Sequence, residues 1–223
     1  MSLQRLGACL ALAALVSFGS PAVAQLQIVP DDDPDLARGW AAYQARDAQG
    51  AFAYFRRAAE RDERVAQFNL AVMLIRGDGI AADPAQGLAW LHRAADNGLA
   101  RAQFSLAALL EQGRLVPRSL SQATVWYEKA ARQGWRDAQV SVATQYYLGR
   151  GVPRDYAAAA YWYGQAAEQG DAGAAYILAS MYEHGDGVPQ DDQRALRWYV
   201  EASAGGEPAA RIKAEEMRAR QRR

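Results

Sequence analysis

The chain has 223 residues, and its 25 Lys and Arg side chains balance 25 Asp and Glu for a formal net charge of zero. That balance gives no overall attraction for nucleic acid or an anionic membrane, and no nucleic-acid partner is expected. Just over half of the residues, 51%, are apolar, enough for a sizeable core, and an Ala-rich composition poor in Val and Ile favours helix.

Residues 1–24 read as an export signal. Arg5 gives a positive start, Leu6 to Phe18 is apolar, and Ala22-Val23-Ala24 places small residues where a signal peptidase reads them. Cleavage is expected between Ala24 and Gln25. The apolar run of about thirteen residues, at about 1.5 Å each, is too short for a permanent membrane-spanning helix; an uncleaved anchor is the competing reading. Cys9 is the only cysteine. Leu6-Gly7-Ala8-Cys9 imitates a lipoprotein cleavage site, but no apolar segment precedes it. Once the signal is removed, the fold must stand without a disulfide in an oxidising compartment. A periplasmic or secreted location is the expectation.

Residues 25–35 read as an acidic linker, with Asp31-Asp32-Asp33-Pro34-Asp35 taken as solvated helix-start acids and not as a calcium site. Residues 36–61 follow as a short helix pair, in which Gly39-Trp40-Ala41-Ala42-Tyr43-Gln44-Ala45-Arg46-Asp47 precedes Ala51 and Phe55. Residues 62–206 then repeat four times. Trp90, Trp126, Trp162 and Trp198 are 36 residues apart, and Tyr54 continues the series backwards. Small pairs keep the register at Ala58-Ala59, Ala94-Ala95, Ala130-Ala131, Ala166-Ala167 and Ala202-Ser203, as do Asp62, Gly98, Gly134, Gly170 and Gly206. Two further columns are Leu70, Leu106, Val142 and Leu178, and Gly77, Gly113, Gly149 and Gly185. A fixed period of this length marks a stacked repeat array.

Residues 136–170 show the logic of one unit. A first helix is predicted over Arg136–Leu148, with Val140, Ala143 and Tyr146 or Tyr147 at helical spacing. Gly149-Arg150-Gly151-Val152-Pro153 breaks it, and Asp155 caps a second helix running to about Gln169. Trp162 and Tyr163 are placed on its packing side, Ala166-Ala167 allow close approach, and Gly170 ends it. Each pair exposes an apolar face that only the next can cover. The chain closes on a capping helix over 207–223, made basic by Arg211, Lys213, Arg218, Arg220, Arg222 and Arg223; positive charge is favourable in itself at a helix carboxyl end, and contact with envelope lipid or an anionic partner is the competing reading.

The run Ala166-Ala167-Glu168-Gln169-Gly170-Asp171, then Tyr176-Ile177-Leu178-Ala179, Gly185-Asp186-Gly187-Val188-Pro189 and Ala195-Leu196-Arg197-Trp198-Tyr199 resembles the Sel1-like repeat, a relative of the tetratricopeptide repeat. Residues 36–61 resemble a plain tetratricopeptide unit serving as the amino-terminal cap. The resemblance implies an all-α fold, a right-handed α-solenoid of about eleven helices in antiparallel pairs. Two positions depart from the pattern. Leu115 stands where neighbouring units have the second glycine of Gly-x-Gly, predicting a tilted or partly exposed turn, and Val140 stands where others have Phe68, Phe104 and Tyr176.

Members of this family act mostly as adaptors, so the resemblance implies binding by shape with no inherited catalytic residues. By analogy with tetratricopeptide arrays, the first helix of each unit lines a concave surface. The partner-facing side chains would be Trp40 and Tyr43; Val72, Ile75 and Arg76; Glu111 and Gln112; Thr144, Tyr147 and Leu148; and Ser180, Glu183 and His184. Aromatic anchors in such a groove suit a helix or an extended peptide.

Little in the sequence speaks for chemistry. His92 sits beside Trp90, and His184 with Glu183 and Asp186 lacks the second imidazole or thiolate of a zinc site. The glycine turns follow helices and repeat with the period, unlike phosphate loops, and no Gly-x-Ser-x-Gly elbow occurs. No cofactor and no metal are expected, and the chain is not expected to be an enzyme. The expectation is an exported, monomeric scaffold holding a protein or peptide of the cell envelope. The alternatives are a periplasmic regulator of an envelope sensor, and a hydrolase or β-lactam-binding protein like some cysteine-rich relatives, whose disulfide-stapled repeats have no counterpart here.

Overall fold

A computed structural model describes residues 33–221. The export signal, its Ala24–Gln25 junction, Asp31, Asp32, Arg222 and Arg223 lie outside the described residues. Eleven helices and no strand are found among those described: α1 Pro34–Gln44, α2 Ala48–Glu60, α3 Arg64–Arg76, α4 Pro84–Asp96, α5 Ala100–Gln112, α6 Leu120–Arg132, α7 Arg136–Leu148, α8 Tyr156–Glu168, α9 Ala172–His184, α10 Asp192–Ala204 and α11 Pro208–Gln221. This is the all-α repeat fold expected. The chain divides into two compact units, one ending at Ala108 and the other beginning at Leu109, inside α5. In each unit consecutive helices pack on one another.

Local chemistry sets most of the boundaries. Aspartates cap the starts of six helices: Asp47 accepts from the Gly50 amide, for instance, and Asp155 from that of Ala158. The turn inside each long repeat is closed by one recurring bond, from the amides of Asp83, Ser119, Asp155 and Asp191 to the carbonyls of Leu74, Leu110, Tyr146 and Tyr182. After each second helix a paired bond pattern recurs, as in Gly170 N–H to Ala167 and Asp171 N–H to Ala166, which satisfies carbonyls left open by the helix end. Gly170 has φ +84 and open space around a would-be Cβ, so backbone conformation alone calls for glycine there. Asp62 takes the same column at φ +65.

The second glycine of each inner turn is required for a different reason. A Cβ at Gly187 would stand 2.2 Å from the Tyr156 carbonyl carbon, and one at Gly151 2.5 Å from that of Leu120. Leu115 occupies this column and keeps the left-handed backbone, with φ +62, while its side chain is 49% exposed. The turn is partly exposed, one of the two outcomes the departure from glycine predicts, and the leucine is strained into it. Because a left-handed L-residue costs about 1–2 kcal/mol and glycine loses part of that back as chain entropy, Leu115→Gly is expected to stabilise the protein by about 0.5–1 kcal/mol. A rise in the urea midpoint would show it.

The core follows a column adjacent to the tryptophans. Phe55, Leu91, Tyr127, Tyr163 and Tyr199, each one residue after the periodic aromatic, are all almost fully buried, whereas Tyr54, Trp90, Trp126, Trp162 and Trp198 are half-buried. Consecutive helical positions differ by about 100°, so both columns cannot face inward. Cations cover several of the outer rings: Lys129 Nζ lies 3.8 Å from the Trp126 centroid and Arg93 4.7 Å from that of Trp90. Trp162 is thus a shoulder of the core, and Tyr163 its centre.

Two polar features are more structural than the sequence implied. Gln67, Gln103 and Gln139 are buried and donate from Nε2 to the carbonyls of Ala59, Ala95 and Ala131, near the ends of α2, α4 and α6. At the amino end, helix begins at Pro34, inside the stretch expected to be linker. Asp33 is its N-cap, and Asp35 is buried, with Arg57 Nη2 at 3.0 Å and Arg61 Nη2 at 3.0 Å. The solvated reading of Asp35 is corrected: it ties α1 to α2.

Candidate functional site

Of the expected partner-facing residues, Trp40 and Tyr43 are half-buried and come together on one wall of a cleft. They lie one turn apart on α1, and their rings stack at 5.8 Å with 23° between planes. With Gln44, Arg46, Ala48, Asp78 and Gly79 they line a cleft of about 560 Å³. Its far wall is the α3–α4 turn, held against the start of α2 by Gln49 Nε2 donating to the Gly79 carbonyl. A Cβ on Gly79 would come within 2.2 Å of that of Ala48, which explains the close approach. Arg76 does not line the cleft but pairs with Asp78 of its wall at 3.7 Å, while Ile75 is half-buried and Val72 is buried at 2%. Val72 is core and leaves the set of contact residues. Arg46, Asp78 and Gly79 were not predicted as cleft residues, since turn positions carry no helical periodicity to reveal them.

In the second unit many of the expected contacts are committed internally. Glu111 Oε2 accepts from the buried Tyr127 hydroxyl at 2.8 Å, its Oε1 from Gln145 Nε2 at 2.9 Å, and Arg150 stands 3.6 Å away. Two repeats later Glu183 is buried at 7% and accepts from the Tyr199 hydroxyl at 2.8 Å and Arg220 Nη2 at 2.6 Å, with Lys213 at 3.6 Å. Glu183 is thus a structural acid and not a groove-facing charge. Arg220 and Lys213, expected to give α11 a basic outer face, are directed onto it. In the repeat between, Thr144 Oγ1 meets the Tyr163 hydroxyl at 3.0 Å, and Tyr147 packs edge-on against Tyr156 at 5.2 Å and Tyr163 at 6.4 Å. His184 Nδ1 lies 2.8 Å from the Ser180 carbonyl, so Glu183 and His184 are turned to separate partners. Gln112 and Leu148 are half-buried and His184 is exposed. Among the described residues no group of three His, Cys, Asp or Glu is placed to hold a metal ion, and no helix is long and apolar enough to cross a membrane.

The electrostatics bear out the internal role of these groups. Burial would raise the Glu183 carboxyl, but hydrogen bonds from Arg220 and Tyr199 and the charge of Lys213 outweigh it and hold its pKa below the ordinary value. Asp35 is lowered by Arg57 and Arg61, and Asp33 by Arg61 and two backbone amides against the opposing effect of burial. On the other side, burial raises Tyr163 to about 12, and the hydrogen bond to Glu128 with burial raises Tyr146 to about 12. Burial followed by the Glu111 charge lifts Tyr127 well up, and burial with Glu183 does the same for Tyr199. Acids depressed in the folded state stabilise it above their unfolded pKa of about 4 and lose that contribution as pH falls; raised tyrosines stabilise it below about 10 and lose it as pH climbs towards 12. The urea midpoint is therefore expected to fall on both flanks, with phenolate absorbance on the alkaline side appearing together with loss of helix.

The Sel1 repeat model matches residues 36–63, 64–99, 100–135, 136–171 and 172–207, so the short first unit counts as a repeat in its own right. Among solved structures, a protective antigen present in uropathogenic Escherichia coli strains and displaying an SLR fold is 33% identical with a TM-score of 0.74, over 82% of this chain and 40% of the antigen. A Sel1 repeat protein from Oxalobacter formigenes is 28% identical with a TM-score of 0.73, over 80% of this chain and 73% of its own. This chain thus spans less than half of the antigen's length. No curated protein matches the sequence. With five repeats in register from residue 36 to 207, the chain belongs to the Sel1 repeat family, whose members generally act as protein-interaction scaffolds.

Proposed function

We propose that this protein is an exported scaffold that holds a protein or peptide of the cell envelope, with the Trp40–Tyr43 cleft as its principal anchor site. The observation that carries the reading is the stacked, half-exposed aromatic pair lining an open cleft, while Glu111, Glu183 and Thr144 spend their polar groups inside the fold. Rigid aromatics in a concavity are the side chains that dominate protein interfaces. Arg46 and Asp78 at the rim supply a charge of each sign to fix the register of a bound segment. Export rests on the apolar and small-residue pattern of residues 6–24, and the compartment makes an envelope protein the natural partner. A monomeric scaffold and a subunit that regulates an envelope sensor both use such a cleft.

Two experiments test this. Intact mass of the protein recovered from the envelope fraction is expected to start at Gln25; a chain retaining residues 1–24 in the cytoplasm overturns the export part. For the anchor, affinity capture with Tyr43→Ala or Trp40→Ala is expected to lose a partner that the unaltered chain retains after stringent washing. If both variants, still fully helical, retain every partner, the cleft is not the site.

A further inference from the structure

The fourth long repeat lacks a plug that its sister repeats carry. In the first unit Gln67 caps the Ala59 carbonyl and receives Asn97 Nδ2 on its Oε1 at 3.0 Å; in the second, Gln139 caps Ala131 and receives Gln169 Nε2 at 2.7 Å. These amide pairs narrow the notch between the end of one second helix and the start of the next first helix, where Gln169 lines a smaller cavity of about 340 Å³ beside Gly134 and Arg136. One period later the pair becomes Ala175 and Gly205. The equivalent carbonyl, that of Ala167, keeps the Gly170 amide as donor at 2.9 Å but gains no side-chain donor from those positions, and a larger cavity of about 440 Å³ opens between α8, α9 and α10, lined by both small residues.

The surroundings of this cavity select what enters it. Glu168, Asp171 and Glu201 border it, with the half-buried Trp198 ring and Arg197. Asp171 Oδ1 is already used to cap α9 through the Ala174 amide, and its Oδ2 is 3.9 Å from Arg136. The Arg197 guanidinium lies 5.7 Å from the Trp198 centroid, so that ring already accepts a planar cation at its edge of the cavity. The carboxyl ends of α8 and α10 and the amino end of α9 all meet there, so two negative helix poles face one positive, and three acidic side chains outnumber Arg197. Missing donors, an aromatic wall and excess negative charge meet in one concavity.

We propose that this cavity receives an arginine side chain of a partner protein. The guanidinium replaces the missing amide as donor to the Ala167 carbonyl, uses its fork on Glu201 and Glu168, and stacks against Trp198. Lysine supplies charge but neither the planar stack nor the two-pronged bond.

The test uses the whole chain and an acetylated, amidated Gly-Gly-Arg-Gly-Gly peptide, followed through the indole N–H resonance of Trp198, assigned by its loss in Trp198→Phe. Expected is a saturable shift that weakens about tenfold or more when citrulline or lysine replaces arginine. Ala175→Gln, which restores the plug, is expected to abolish the shift, and Glu201→Gln, at an exposed position away from the core, to weaken it severalfold. Trp40→Ala leaves it unchanged, which separates this site from the anchor cleft. A Trp198 signal that does not move, citrulline or lysine binding as tightly as arginine, or loss of binding in Trp40→Ala overturns the proposal. Should Ala175→Gln fail to fold, an unaltered affinity in Glu201→Gln does the same.

Discussion

Tyr163→Ala is expected to cost about 3–5 kcal/mol, the range for deleting a large buried aromatic. Its side chain has no solvent exposure, its ring meets Tyr147, and its hydroxyl is paired with Thr144. The substitution both opens a cavity and strips a buried polar contact. Trp162→Ala removes a larger ring, yet that ring is half-exposed and packs on the core from its edge, so its loss is expected to cost less than half as much. Urea unfolding of the two variants side by side decides the order. A tryptophan loss equal to or above the tyrosine loss would return the core to the tryptophan column.

Glu183→Lys is the second large effect, expected at about 3 kcal/mol, because removing one partner of a buried ion pair leaves the rest uncompensated. The new ammonium would sit among Arg220, Lys213 and the Tyr199 hydroxyl, all arranged to donate to a carboxylate. Since Arg220 and Lys213 retain access to water, the loss stays near the lower end of the range for such breaks. It is expected to release α11 first, visible as faster amide exchange over Pro208–Gln221 before the other helices. Uniform loss of protection in both units would contradict that localisation.

Much of the fold was legible because its determinants are local and repeat. A glycine that must adopt positive φ, an aspartate that caps the next helix and a leucine at fixed register each recur every 36 residues, so Arg136–Leu148 could be bounded to the residue. What stayed hidden depends on contacts distant in sequence. Trp162 and Tyr163 are neighbours of similar character, and only the packing of α8 on its neighbours decides which points inward. Gln67, Gln103 and Gln139 look like surface amides until the helix ends they cap are seen 8 residues back. Glu183 reads from the sequence as groove-facing because its partners lie 16 and 37 residues further on. Asp35 reads in sequence like the rest of its acidic run, yet Arg57 and Arg61 on α2 draw it into the fold. Of the candidate site, the aromatic anchors on α1 were visible from the sequence, whereas the turn residues that complete the cleft were not.

Binding at the Trp40–Tyr43 cleft is tested most directly by a photo-crosslinking side chain placed in the living cell at position 44 on the cleft wall, with position 193 on the exposed surface of α10 as control. The account predicts a discrete adduct from position 44 that disappears in Tyr43→Ala and is absent from position 193. Adducts of equal intensity from both positions, or one from position 44 that survives Tyr43→Ala, would contradict it.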